Sequence, residues 1–100
     1  QVDLVEALRW FMKGAKRGEA RCRFEVGYRF LHGLYVQSDS KAGLYWLELA
    51  AAAGVMQAAE ELAGHYSSRD AARYLDWRDQ AILMGSSLAL TMKLEDQIRP

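Results

Sequence analysis

Three tryptophans, Trp10, Trp46 and Trp77, stand 36 and 31 residues apart in a chain of 100. Each has an Asp seven residues before it (Asp3, Asp39, Asp70) and a Gly eight residues after it (Gly18, Gly54, Gly85). Three markers coinciding in three copies define an internal repeat, and a period in this range is that of solenoids stacked from small supersecondary units. The units are helical: the only proline is Pro100, Ala and Leu together supply 28 residues, and Val, Ile and Thr only eight. Helix breakers and a strand-forming composition are thus both lacking. The expected fold is all-α, an α-α superhelix of three antiparallel helix hairpins, with helices at about 4–17, 20–32, 40–53, 55–66, 71–84 and 87–98.

Each marker has a local physical reason. A carboxylate just before a helix accepts hydrogen bonds from free backbone N–H groups and faces the positive end of the dipole. Glu6 completes an Asp-x-x-Glu pattern resembling a capping box, and a Gly beyond the last turn supplies a left-handed C-terminal residue. At 100° per residue, Ala7, Trp10, Phe11, Gly14 and Ala15 form one stripe, expected to pack on the second helix with all three tryptophans in the core. The last helix poses a choice of register. Transferring the second copy at an offset of 31 puts Lys93 and Gln97 at the places of Leu62 and Tyr66, which is costly if both are buried. An extra residue in the Gly85–Ser87 turn instead turns Leu90, Leu94 and Ile98 inward, and this slipped register is the expectation.

The string Trp10-Phe11-x-x-Gly14-Ala15-x-x-Gly18, then Val26-Gly27-x-x-Phe30-Leu31-x-Gly33-x-x-Val36-x-x-Asp39, resembles the Sel1-like repeat family, relatives of the tetratricopeptide repeat. The second copy continues with Trp46, Ala50, Ala51, Gly54, Ala58, Leu62 and Tyr66, but lacks the Gly33–Val36–Asp39 loop and has Ala63 in the place of Gly27. The third keeps Asp70, Trp77, Ala81 and Gly85 and then loses the pattern, as a terminal cap would. The resemblance implies a right-handed superhelix acting as a protein-binding scaffold. Residues 1–100 are read as one such domain with repeats at about 3–38, 39–69 and 70–98. A start at Gln1 with no signal-peptide pattern is read as a piece of a longer protein, and the compartment stays unassigned.

Several function classes lose their basis. Thirteen Lys and Arg balance thirteen Asp and Glu, so no global field draws nucleic acid. The longest apolar run, Leu49 to Met56, is far below the roughly 18 residues of a membrane span, and no membrane insertion is expected. Cys22 is the only cysteine and reads as a small buried hydrophobe. His32 and His65 are too far apart for a local metal spacing, and Glu61 with His65 at i,i+4 makes half a site or an ion pair. No GxGxxG, P-loop or GxSxG pattern occurs. No catalytic residue, metal or cofactor is expected, and the chain is read as non-enzymatic.

The expected function is a protein-protein interaction scaffold. The alternatives are a regulatory or structural appendage to an enzyme or signalling domain elsewhere in the parent chain, and a groove for a small ligand or glycan. The first helices present equivalent positions: Arg9, Tyr45 and Asp76; Met12, Glu48 and Asp79; Lys13, Leu49 and Gln80. The resemblance places these in a concave groove. Charge is uneven along the chain, +3 over residues 1–38, −3 over 39–66 and zero over 67–100. An acidic segment of a peptide or helix is therefore expected over Arg9, Lys13, Lys16 and Arg17, with an apolar side chain near Met12, Tyr45 and Leu49. Self-association through an exposed solenoid end is a further expectation.

Overall fold

The computed structural model describes residues 3–99. Asp3, Asp39 and Asp70 each sit in extended backbone and accept hydrogen bonds from the first free N–H groups of a helix, Asp39 from Ala42 and Asp70 from Arg73 at 3.1 Å, Asp3 from both Val5 and Glu6. These caps open α1 (Leu4–Lys16), α3 (Ser40–Ala52) and α5 (Ala71–Leu83). Glu6 does not turn back to close a capping box; its carboxylate lies 3.6 Å from Arg9. The second helices, α2 (Ala20–His32), α4 (Met56–Tyr66) and α6 (Ser87–Ile98), follow three copies of one tight turn. In each, Gly18, Gly54 or Gly85 takes φ of +92 to +99°. The next residue then donates its N–H to the carbonyl of the residue five positions back: Glu19 to Gly14, Val55 to Ala50 and Ser86 to Ala81. Every helix end lies within one residue of its expected position, and no strand occurs among the described residues.

Between α2 and α3 the chain makes a longer turn. Gly33 and Tyr35 both adopt left-handed backbone, with φ of 66° and 63°. Leu34 and Asp39 tie the loop back to α2 through the carbonyls of Arg29 and Phe30, and Val36 packs into the core. Each helix then packs mainly on its neighbours in sequence, and the result is a rod of 48 × 25 × 24 Å. Its core has two parts. Leu8, Ala15 and Val26 form one in the first hairpin; Leu47, Ala50, Ala58, Leu62 and Tyr66 anchor the other, which continues to Ala81 and Ala89. Burying side chains such as Val26, Leu47 and Leu62 contributes on the order of 1.5–3 kcal/mol each.

Two expectations are corrected. Trp10 is not core: it is 61% exposed. The reason is the direction in which the repeat tryptophan packs. Trp46 of α3 joins the core of the first hairpin, and Trp77 of α5 packs against the core built on the second. The tryptophan is therefore a contact to the preceding hairpin, and among the described residues no hairpin precedes α1.

The second correction concerns α6, which keeps the unslipped offset of 31. Ala89, at the place of Ala58, is fully buried, whereas Leu90, Leu94 and Ile98 are 46%, 54% and 81% exposed. The interior of this hairpin sets the polar Arg78 and Ser86 beside the buried Ala81 and Ala89. Arg78 stands where the second copy has Leu47, is buried, and reaches Asp79 and Asp96 at 3.2 Å. Tyr74 donates its hydroxyl to the same Asp96. The cost that argued for the slip does not arise, because Lys93 is only half-buried and Gln97 is exposed in the unslipped register.

Candidate functional site

α5 packs on α4, Trp77 reaches back to the core of the second hairpin, and a groove opens between α3 and α5. Two adjoining cavities of about 600 and 540 Å³ make it, with Glu48 and Arg73 in the walls of both. Tyr45, Leu44 and Leu49 line one end. Asp76, Asp79, Trp77 and Leu83 line the other. Tyr45 is held edge-on against Trp46, ring centroids 5.1 Å apart, which positions an exposed aromatic face at the groove's mouth. Arg73 is anchored between Asp70 (3.4 Å) and the ring of Tyr66 (5.6 Å). Asp79 is engaged by Arg78, while Glu48 and Asp76 form no ion pair among the described residues. The groove therefore offers aromatic and aliphatic surface beside two carboxylates that form no ion pair, with the cations Lys41 and Arg73 also in its walls.

Of the nine residues assigned to partner binding from sequence, the fold gathers Tyr45, Glu48, Leu49, Asp76 and Asp79 around this groove. Arg9, Met12, Lys13 and Lys16 lie outside its walls. Arg9 pairs with Glu6, the Lys13 ammonium sits 4.4 Å from the centre of the Trp10 ring, Met12 packs into the first core, and Lys16 is exposed in the last turn of α1. Arg73, Trp77 and Leu83 were not anticipated as lining residues. Helical spacing from Asp76 and Asp79 contained the signal, since positions three to four residues away share a face.

The opposite side, formed by the second helices, brings His32, Glu61 and His65 to one cavity of about 500 Å³. Glu61 is bonded to His32 at 2.7 Å, joining α2 to α4, and not to His65 four residues on. His65 stacks edge-on against Tyr66, and burial, with the nearby Arg69 and His32, lowers its pKa. Among the described residues no three His, Cys, Asp or Glu side chains are placed to hold a metal ion, and no helix is long and apolar enough to cross a membrane. Cys22 is partly buried and donates to Glu19 at 3.3 Å. Burial first, then the Glu19 hydrogen bond and charge, push its thiol pKa up, away from the thiolate that nucleophilic chemistry needs.

Comparison with known proteins agrees with this architecture. The family model described as Sel1 repeat matches residues 1–19 and 20–55. The second match spans α2, the Gly33–Asp39 turn and α3. Among solved structures, the crystal structure of a Sel1 repeat protein from Oxalobacter formigenes is similar, with a TM-score of 0.76 and 30% sequence identity over 81% of this chain. The chain spans 36% of that protein's length. No curated protein matches the sequence. Sel1 repeats are generally protein-protein interaction modules and non-enzymatic scaffolds. With more than half of its residues matched and the same helical solenoid, the chain belongs to the Sel1 repeat family.

Proposed function

We propose that the chain is a non-enzymatic scaffold that takes an extended segment of a protein partner in the concave groove between α3 and α5. The observation that carries this reading is the placement of Tyr45, Leu49 and Trp77 in adjoining cavities with Glu48 and Asp76, which form no ion pair among the described residues. An aliphatic side chain of the partner fills the space at Tyr45 and Leu49, and a Lys or Arg a few residues along meets Glu48 and Asp76. Further toward the first hairpin, Arg9, Lys13 and Lys16 favour an acidic residue, so the recognised segment is basic at one end and acidic at the other. Tyr45 and Trp77 are the anchors, because buried aromatic contacts dominate such interfaces.

Selection from a random peptide library on the immobilised chain tests this. Enriched peptides are expected to combine an aliphatic residue with a cationic one, and Tyr45→Ala should weaken them at least tenfold, chiefly by faster dissociation. Reversing Arg9 and Lys13 to Glu should slow association and reduce its salt dependence. Peptides that bind Tyr45→Ala and Glu48→Gln as tightly as the parent would place the site elsewhere.

A further inference from the structure

Where the two cavities of the α3–α5 groove adjoin, their shared wall carries one charge of each sign. Glu48 of α3 and Arg73 of α5 line both cavities. Both residues are exposed, and Glu48 acts electrostatically on Arg73 without forming an ion pair with it among the described residues. Arg73 is held by the cap of its own helix and by the end of α4. Its Nε lies 3.4 Å from Asp70, Nη1 donates to the Tyr66 hydroxyl at 3.5 Å, and the guanidinium stands 5.6 Å from the centre of the Tyr66 ring. Nη2 makes no hydrogen bond among the described residues. Part of an already oriented fork is thus left for a ligand, and little side-chain freedom is lost when it is used. A partner carboxylate at this wall would meet Glu48, and a partner cation would meet Arg73. A group that offers a donor and an acceptor together satisfies both, and one residue of an extended chain does so, because its own N–H and C=O point to the same side.

We propose that Arg73 and Glu48 clamp the main chain of one residue of the bound segment, Arg73 donating to its carbonyl oxygen and Glu48 accepting from its N–H. The clamp rests on the groove reading proposed above and refines it: Asp76 becomes the main carboxylate for the partner's cation, and the aliphatic side chain still enters at Tyr45 and Leu49. Both bonds involve an ionised group, which makes them stronger than bonds between neutral partners. Every sequence carries the groups they hold, so the clamp adds affinity and fixes the segment over the shared wall, while the cavities on either side select its side chains.

Amide-to-ester replacement along a peptide selected from the library tests the proposal. Each replacement removes one main-chain N–H and leaves every side chain in place. The peptide used is one that Tyr45→Ala weakens, which establishes the groove before the clamp is tested. An ester at one position is expected to weaken binding to the parent chain about tenfold, and binding to Glu48→Ala by less than about twofold. Arg73→Lys keeps the charge but not the planar fork, and is expected to weaken the all-amide peptide about tenfold. Circular dichroism establishes that both variants fold, and the ester series on the parent chain needs no variant. A Tyr45-dependent peptide whose ester analogues all bind the parent like the amide overturns the clamp and leaves the groove standing. So does an ester penalty of equal size in Glu48→Ala, or full binding by Arg73→Lys. Selection that yields no Tyr45-dependent peptide overturns the groove reading itself, and the clamp with it.

Discussion

Gly27 of α2 and Gly43 of α3 face each other at backbone contact: a methyl group on Gly27 would lie 2.9 Å from the Gly43 carbonyl oxygen, and one on Gly43 would lie 2.7 Å from the Leu31 nitrogen. Backbone, unlike the end of a flexible side chain, cannot step aside, so the pair sets how closely the first two hairpins stack. Gly43→Ala is expected to lower stability by about 1–2 kcal/mol, overpacking outweighing the gain in helix propensity. Gly64 of α4 has open space around it, and Gly64→Ala should raise stability by roughly 0.5–1 kcal/mol. Urea titrations of both variants check the contrast.

Trp46 and Trp10 occupy equivalent sequence positions and should respond oppositely to truncation. Trp46→Ala removes a side chain from the first core and is expected to cost about 3 kcal/mol, whereas Trp10→Ala should cost less than about 0.5 kcal/mol. Thermal melts at low concentration separate the two. Equal losses would contradict the direction of packing described above.

Acid should loosen the third hairpin. The Tyr74 hydrogen bond first, and then Arg78 against the opposing effect of burial, hold the Asp96 carboxyl below its ordinary pKa. A carboxylate with a depressed folded-state pKa contributes stability above its unfolded value, and that contribution is lost as pH falls through the folded one. Melting temperature should therefore drop below about pH 4, and Asp96→Asn should start lower and show a shallower acid dependence. An identical acid slope in the two proteins would remove Asp96 from the account.

Cys22 should react slowly with thiol reagents at neutral pH. Burial and Glu19 both disfavour its thiolate, so alkylation should be several-fold slower than for the urea-unfolded chain, and Glu19→Gln should recover part of the rate. Reaction at the unfolded rate in native buffer would refute this.

The helices were legible because their signals are local: Asp caps, Gly turns and an uninterrupted Ala and Leu content act within a few residues. The packing role of the tryptophans was not, since spacing places Trp10, Trp46 and Trp77 on a helix face without saying which neighbour that face meets. In α6 the expectation of an apolar interior misled, because Tyr74 and Arg78 stand on α5 and Asp96 on α6, and their mutual satisfaction appears only once the two helices are packed. The groove was partly legible: equivalent positions pointed to Tyr45, Glu48 and Asp76, but the participation of Arg73 and Leu83 depends on how α5 lies against α3.

Because Trp46 and Trp77 each bury themselves in the hairpin made before them, the order of assembly follows the order of synthesis. As the chain leaves the ribosome, α1 and α2 are complete before Trp46 emerges, and the second core is largely in place before Trp77 does. Each newly made hairpin thus meets a finished surface, and no tryptophan has to wait unburied for residues not yet translated. Trp10 differs from Trp46 and Trp77 within residues 3–99: no earlier described hairpin offers its indole a surface, and the ring stays on the outside of the rod.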